Sequence, residues 1–262
     1  MRFSLHKTCR ALALFGALAA TVAAPAALAQ NAVFSEQQKQ AIGEIVKEYL
    51  LKNPEVLTEV IGELEKRQAE AQQVAQAGAV QETKQSLLNA PHSYVAGNPS
   101  GDITLVEFFD YNCGYCKKAL SDVQTLMKSD PKLRVVLKDF PVLGPDSVEA
   151  SRVALAVKNQ LQGQKLFDYH VKVLETRGRV GGERAMAVAK EMGVDMAKLQ
   201  KDMNGAEVRN ALQENMALGD KLSLTGTPAF IIGEAVIPGA VGIEPLKQLI
   251  DNVRSCGKAN CG

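Results

Sequence analysis

The sequence predicts an α/β protein whose small sheet is interrupted by a block of helices and preceded by a separate helical segment. Three patterns predict it. The apolar run ITLVEFF at 103–109 reads as a buried strand. It leads through Cys113-Gly114-Tyr115-Cys116 into an amphipathic helix over 113–128. A second strand follows at 133–138, after which residues 146–222 show helical periodicity only. Strand signals return at 229–232 and 235–237, a hairpin turning on Gly233-Glu234, before a last amphipathic helix over 243–253. Strands alternating with helices in this way build an α/β layer structure.

Residues 1–29 are expected to lie outside the fold. Arg2, Lys7 and Arg10 give a positive start, residues 11–24 are apolar and rich in small side chains, and Ala27-Leu28-Ala29 offers a cleavage site before Gln30. That is the pattern of a secretory signal peptide, too short for a good membrane anchor. The mature protein is then expected in the periplasm, an oxidising compartment where disulfides persist. Of the five cysteines, Cys9 would be lost with the signal, leaving the pairs Cys113/Cys116 and Cys256/Cys261. A formal charge of +1 over 262 residues shows no basic excess, which argues against a nucleic-acid partner. No later apolar run is long enough to span a bilayer, so a soluble mature chain is expected.

Residues 30–90 differ from the rest. Ser35 and Gln38 form a capping box, followed by Ile42, Ile45, Val46, Tyr49 and Leu50 at helical spacing. Asn53-Pro54 interrupts the pattern, with Asn53 expected to cap a second helix that carries Val56, Leu57, Val60, Ile61 and Leu64. From Glu65 to Gln85 the segment turns polar and reads as a linker helix. Apolar stripes placed ahead of a domain they need not complete imply self-association, so a homo-oligomer is expected. Ala90-Pro91 and the glycine- and proline-bearing stretch 97–101 mark the boundary to a second domain over 91–262. Within that domain, helices are expected at 147–160, 165–176, 183–192, 196–203 and 206–221.

Three features converge on one site. Two cysteines separated by two residues can close a small disulfide ring. At a helix start the first thiol meets unpaired N–H groups and the positive end of the macrodipole, which favour the attacking thiolate. A zinc site would need Cys256 and Cys261 as its other half, and their wider spacing in a Gly/Asn-rich tail does not suit it. Redox chemistry is therefore expected, with no metal and no cofactor. The second feature is Thr227-Pro228 at a strand start; a cis bond there would leave neighbouring backbone groups open to a substrate chain, although trans is the commoner form. The third is Glu107, an acid in an apolar strand. Buried, it would have a raised pKa and could exchange a proton with Cys116 through water. Cys256 and Cys261 are expected to form a local disulfide pinning the chain end. His170 is expected to be structural, as are Phe167, Tyr169 and Met186. Lys117 and Lys118 read as solvated surface lysines.

These residues resemble the DsbA-like group of thioredoxin-fold proteins. The likeness rests on Glu107-Phe108-Phe109, Cys113-Gly114-Tyr115-Cys116, the helical insertion over about 146–222, and Thr227-Pro228. The segment with Asn53-Pro54-Glu55-Val56-Leu57 also resembles the oligomerisation stalk of ScsC-like proteins. The resemblance implies a thioredoxin fold with an inserted helical domain, a nucleophilic Cys113, a resolving Cys116 and a Cys113–Cys116 disulfide. It implies a client-binding surface at Gly114, Tyr115, Thr227 and Pro228. The partners implied are exported proteins with disulfides and a membrane-bound thiol redox partner of the DsbD or ScsB type. The strongly oxidising DsbA pattern has Pro-His between its cysteines and Val before its cis-proline. Here Gly114-Tyr115 and Thr227 replace them, so no imidazole supports the thiolate. The disulfide is then expected to be less oxidising than about −120 mV. Isomerase or reductase is the implied activity, with a DsbA-type oxidase or a copper-binding envelope protein as alternatives.

Overall fold

The computed structural model describes residues 34–261; the expected signal peptide and Cys9 lie outside the described residues. The chain divides at Ile61/Gly62 into two compact units. The first contains α1 (Glu36–Lys52) and the start of α2 (Glu55–Asn89). Ser35 and Gln38 close the capping box from both sides. Asn53 acts differently from its expected role. Its side-chain amide donates to Tyr49 O at 2.9 Å, so it closes the end of α1, where carbonyls lack partners. Ile42, Ile45, Val46, Tyr49, Leu57, Val60 and Ile61 are all exposed in the single chain.

The second unit holds a five-stranded sheet in the order β1-β3-β2-β4-β5. Its strands are β1 (Tyr94–Gly97), β2 (Ile103–Phe109), β3 (Leu133–Asp139), β4 (Ala229–Ile232) and β5 (Ala235–Pro238). Only β2 and β3 run parallel; the other neighbours are antiparallel. The sequence reads the β1 region as a boundary, because four residues between turn signals are too few to show alternation. Between β2 and β3 lies α3 (Gly114–Ser129). Between β3 and β4 come five helices: α4 (Pro145–Val157), α5 (Gly163–Glu175), α6 (Gly182–Glu191), α7 (Met196–Met203) and α8 (Ala206–Lys221). The chain then ends with α9 (Ile243–Cys256), a turn longer than its apolar pattern suggests.

The period-two alternation of the strands gives the sheet two buried faces. Leu105, Phe109, Val135, Phe230 and Ile232 share a core with α3, α9 and most of the helical insertion. Val106, Phe108, Val136 and Ile231 form the other face with Leu218, Leu222 and, from α2, Val80 and Leu87. The end of α2 is therefore core rather than the polar linker its composition suggests. Two cations on β3 hold it there. Lys138, fully buried, donates to Ser86 O (2.8 Å) and Ser93 Oγ (2.7 Å). Arg134 donates to Leu88 O at 2.7 Å. Both cations therefore meet carbonyls in the last turn of α2, at the negative end of its dipole. Burial lowers the Lys138 ammonium to about 8. No helix among the described residues is long and apolar enough to cross a membrane.

Candidate active site

The parallel strand β2 ends at Phe109, and after three intervening residues the chain enters α3 with Cys113 as its N-cap. Cys113 is only 4% exposed. Its Sγ accepts the Cys116 N–H at 3.2 Å and lies 3.1 Å from Thr227 O. A hydrogen bond from the Cys116 thiol, then the Thr227 side chain and the N–H groups of Cys116 and Tyr115, outweigh burial and bring Cys113 down to about 6. Cys116 moves the opposite way. Burial raises it far above the ordinary thiol range, and its bond to Cys113 and the charge of Glu107 add to that. The two sulfurs are thus divided by environment into one that favours the thiolate and one that keeps its proton.

Glu107 is buried on the sheet face that α3 covers. It stands between Leu137 of β3 and Phe230 of β4 in the strand register. Burial, with a smaller contribution from Cys113, raises its carboxyl to about 8. A carboxyl with its pKa near 8 keeps a minority of carboxylate at pH 7, and it is this ionised form that can take the Cys116 proton as the thiolate forms. Thr227-Pro228 is cis. Gly114 and Tyr115 stand exposed beside the sulfur, with Tyr115 at 68%. The expected Cys113–Cys116 disulfide is not formed in this structure. Both thiols are free, and Cys113 Sγ takes up backbone and side-chain hydrogen bonds instead.

Lys117 donates to Thr176 O at 2.8 Å, so it ties α3 to the end of α5 instead of lying loose in solvent. Lys118 is exposed. His170 is fully buried and neutral, its pKa lowered to about 3, and lies 3.3 Å from Tyr111 Oη. Phe167 and Tyr169 are buried, and Met186 packs against the same core.

The sequence reading missed the two residues that hold the loop before Cys113. Asp110 accepts from Asn112 N (2.7 Å) and Leu143 N (3.0 Å). Asn112 uses both ends of its amide, donating to Ser147 Oγ (2.9 Å) and Val180 O (2.8 Å) and accepting Val180 N–H (2.7 Å). Its partners lie 35 and 68 residues away, so only the Asp-x-Asn turn pattern was legible in the chain. Asn112→Ala should lower stability by about 2–3 kcal/mol, since it strands a buried-loop N–H and two further partners. Urea denaturation of the variant measures this.

Cys256 and Cys261 form a disulfide across the end of α9. The loop they close is seated by Asn252, which donates to Ala259 O, and by Glu234, which accepts from Ala259 N. Among the described residues, no group of three or more His, Cys, Asp or Glu could hold a metal ion.

A thiol pair opening a helix beside a cis-proline loop, on this sheet order, can be compared with known proteins. The DSBA-like thioredoxin domain matches residues 104–251, more than half of the sequence. The chain belongs to that family. Ahead of its DSBA-like domain, residues 38–71 match the copper resistance protein ScsC N-terminal domain. The thioredoxin-like oxidoreductase of Silicibacter pomeroyi is 40% identical, with a TM-score of 0.62, covering 66% of this chain and 98% of that one. A linker-deletion variant of ScsC from Proteus mirabilis is 26% identical, with a TM-score of 0.64, over 85% of this chain and 97% of that one. The thiol:disulfide interchange protein DsbA of Bordetella pertussis is 30% identical over 51% of this chain. This chain spans 64% of that protein's length, and as little as 24% of another curated relative.

Proposed function

We propose that the protein is a thiol-disulfide oxidoreductase acting on exported protein clients in the periplasm, as an isomerase or reductase. The observation that carries this reading is the opposed tuning of Cys113 and Cys116 above the buried Glu107. The Cys113 thiolate attacks a client disulfide, forming a mixed disulfide and releasing a client thiolate. In isomerisation another client thiolate attacks the client sulfur of that bond, forming a new client disulfide and regenerating Cys113 with no net electron transfer. In reduction Cys116 gives its proton to the ionised form of Glu107, directly or through water, and its sulfur attacks Cys113. The client leaves with two more electrons, and the Cys113–Cys116 disulfide remains. A membrane-bound dithiol partner of the DsbD or ScsB type would reduce it again. The Cys113 value of about 6 suits this direction, since it lies well above the ~3.5 of the strongly oxidising member of the fold.

Protein clients fit the surface around the sulfur. Tyr115, Val142, Leu143 and Val241 are exposed apolar side chains. Leu143 N is held by Asp110 Oδ2, and the loop before Val241 by Pro228 O, so they flank the active-site turn and the cis-proline. Self-association is supported by the exposed apolar residues of α1 and early α2 and by the ScsC-type N-terminal match over them. An oligomer would present several dithiols to one misfolded client.

Refolding of scrambled ribonuclease tests this reading, with the mature chain compared to one starting at Gly62. A start near residue 91 would also remove Val80 and Leu87 from the core. The mature chain should restore native activity and sediment as an oligomer, whereas the shortened one should be monomeric and lose isomerase activity while still oxidising dithiols. Equal isomerase activity in both would remove the role assigned to the N-terminal helices. The likeness to a protein named DsbA favours one other direction, net oxidation. It would show as efficient oxidation of reduced ribonuclease with no isomerisation by either form. Stoichiometric copper(I) binding without any exchange would mark the envelope copper-binding alternative, for which the ScsC-type match speaks.

A further inference from the structure

We propose that α2 completes a client-recognition pocket beside the cis-proline loop, in which Gln72 and Gln76 wall a site for one uncharged client side chain close to the reacting cysteine. This rests on the thiol-exchange reading above and assigns it a specificity element. A cavity of about 240 Å³ lies between α2 and the 223–228 loop, with Ala229, Val236 and Pro238 at its apolar base. Gln76 holds α2 at this distance by donating to Leu222 O at 3.1 Å. Gln72, one turn away and exposed, leaves its amide free to meet a ligand.

Continuity with the sulfur identifies the occupant. Thr227 and Pro228 line the cavity, and Thr227 O is the carbonyl 3.1 Å from Cys113 Sγ. A chain joined to Cys113 by a disulfide is therefore delivered to the cavity mouth. Among the described residues, the N–H groups of Thr225, Gly226 and Thr227 donate to no backbone or side-chain acceptor. They form a short unpaired edge of the kind an extended peptide pairs with, placing its alternate side chains in pockets. The volume suits one medium or large side chain. No charged residue lines the cavity, so a client Asp, Glu, Lys or Arg would lose hydration there without a counter-charge. The site should accept Leu, Met, Gln or Tyr and reject charge, at one fixed offset from the client cysteine.

The test uses the full mature chain carrying Cys116→Ala, so that exchange stops at the mixed disulfide. Peptides with one cysteine activated as its thionitrobenzoate mixed disulfide are offered, with Leu, Gln, Asp or Lys placed in turn at each flanking position. Cys113 displaces thionitrobenzoate, whose absorbance reports the rate. At one position the Leu and Gln peptides should react about tenfold faster than the Asp and Lys peptides. Gln72→Trp, which fills the cavity from an exposed position, should bring that ratio to near unity, and Gln72→Ala should reduce the preference for Gln over Leu. The small reagent dithiobis(nitrobenzoate) carries no flanking client residue and should react equally with all three proteins. Equal discrimination with and without Gln72→Trp, a charge effect of the same size at every position, or a parallel loss of the small-reagent rate would overturn the pocket while leaving thiol exchange standing. A parent that reacts with neither peptides nor the small reagent would instead overturn the exchange reading itself.

Discussion

Cys113→Ser is expected to reduce disulfide exchange to the uncatalysed background. The serine hydroxyl can occupy the same N-cap position and accept the Cys116 N–H, so the fold and the start of α3 should survive. What disappears is the sulfur whose surroundings favour the anion. Cys116 cannot substitute for it, because burial and the neighbouring Glu107 hold it protonated. The insulin-reduction assay, run beside circular dichroism to verify folding, measures the loss. Cys116→Ala gives the complementary result: the first attack proceeds, the resolving sulfur is absent, and mixed disulfides with client proteins accumulate on non-reducing gels. Substantial turnover in Cys113→Ser would end the mechanism.

Glu107→Gln is expected to move stability and rate in opposite directions. Burial raises the carboxyl to about 8, against an unfolded value near 4.5. Between those limits the folded state binds more protons than the unfolded one, so stability falls as pH rises through the window. Below pH 4.5 the acid is neutral in both states and costs nothing; above pH 8 the full cost of a buried anion is present. Glutamine removes that dependence, so the variant should gain stability over the wild type as pH rises from 4.5 to 8. The gain near pH 8 should be on the order of a few kcal/mol. The resolving step should slow by about 10²–10⁴, since Cys116 loses its proton acceptor. The first attack by Cys113 should change far less. Urea midpoints across the pH range and stopped-flow resolution of the mixed disulfide separate the two effects. A variant that is less stable at pH 8 and resolves at the wild-type rate would place Glu107 outside the proton path.

Much of this site was legible in the chain because its chemistry is local. Cys113, Cys116 and the helix they open lie within a few residues, so one stretch of sequence carries the proposed nucleophile and the N–H groups that tune it. Glu107 was legible for a related reason: an acid in the run ITLVEFF has nowhere polar to go on a strand buried on both faces. The likeness of Thr227-Pro228 to a cis-proline loop depended on the cysteines, since the dipeptide alone favours the trans form. The unread parts depend on distant pairings. Asn112 clamps Ser147 and Val180, and neither partner has a sequence signature. Lys138 carries no sequence signal of its burial, which only the arrival of α2, with Ser86 O and the neighbouring Ser93, explains. For the same reason the end of α2 looks like a polar linker. Val80 and Leu87 are apolar positions spaced along it, and their partners are the strands of the second unit.

The proposed chemistry depends on Cys113 being an anion at neutral pH while Cys116 is not. Alkylation of the reduced mature chain by iodoacetamide across pH 4–9, with each cysteine followed by mass spectrometry, tests it most directly. Cys113 should show a profile with its midpoint near 6, and Cys116 should not be alkylated in the native state. A Cys113 midpoint at the ordinary thiol value of about 8.5, or two cysteines reacting alike, would contradict it.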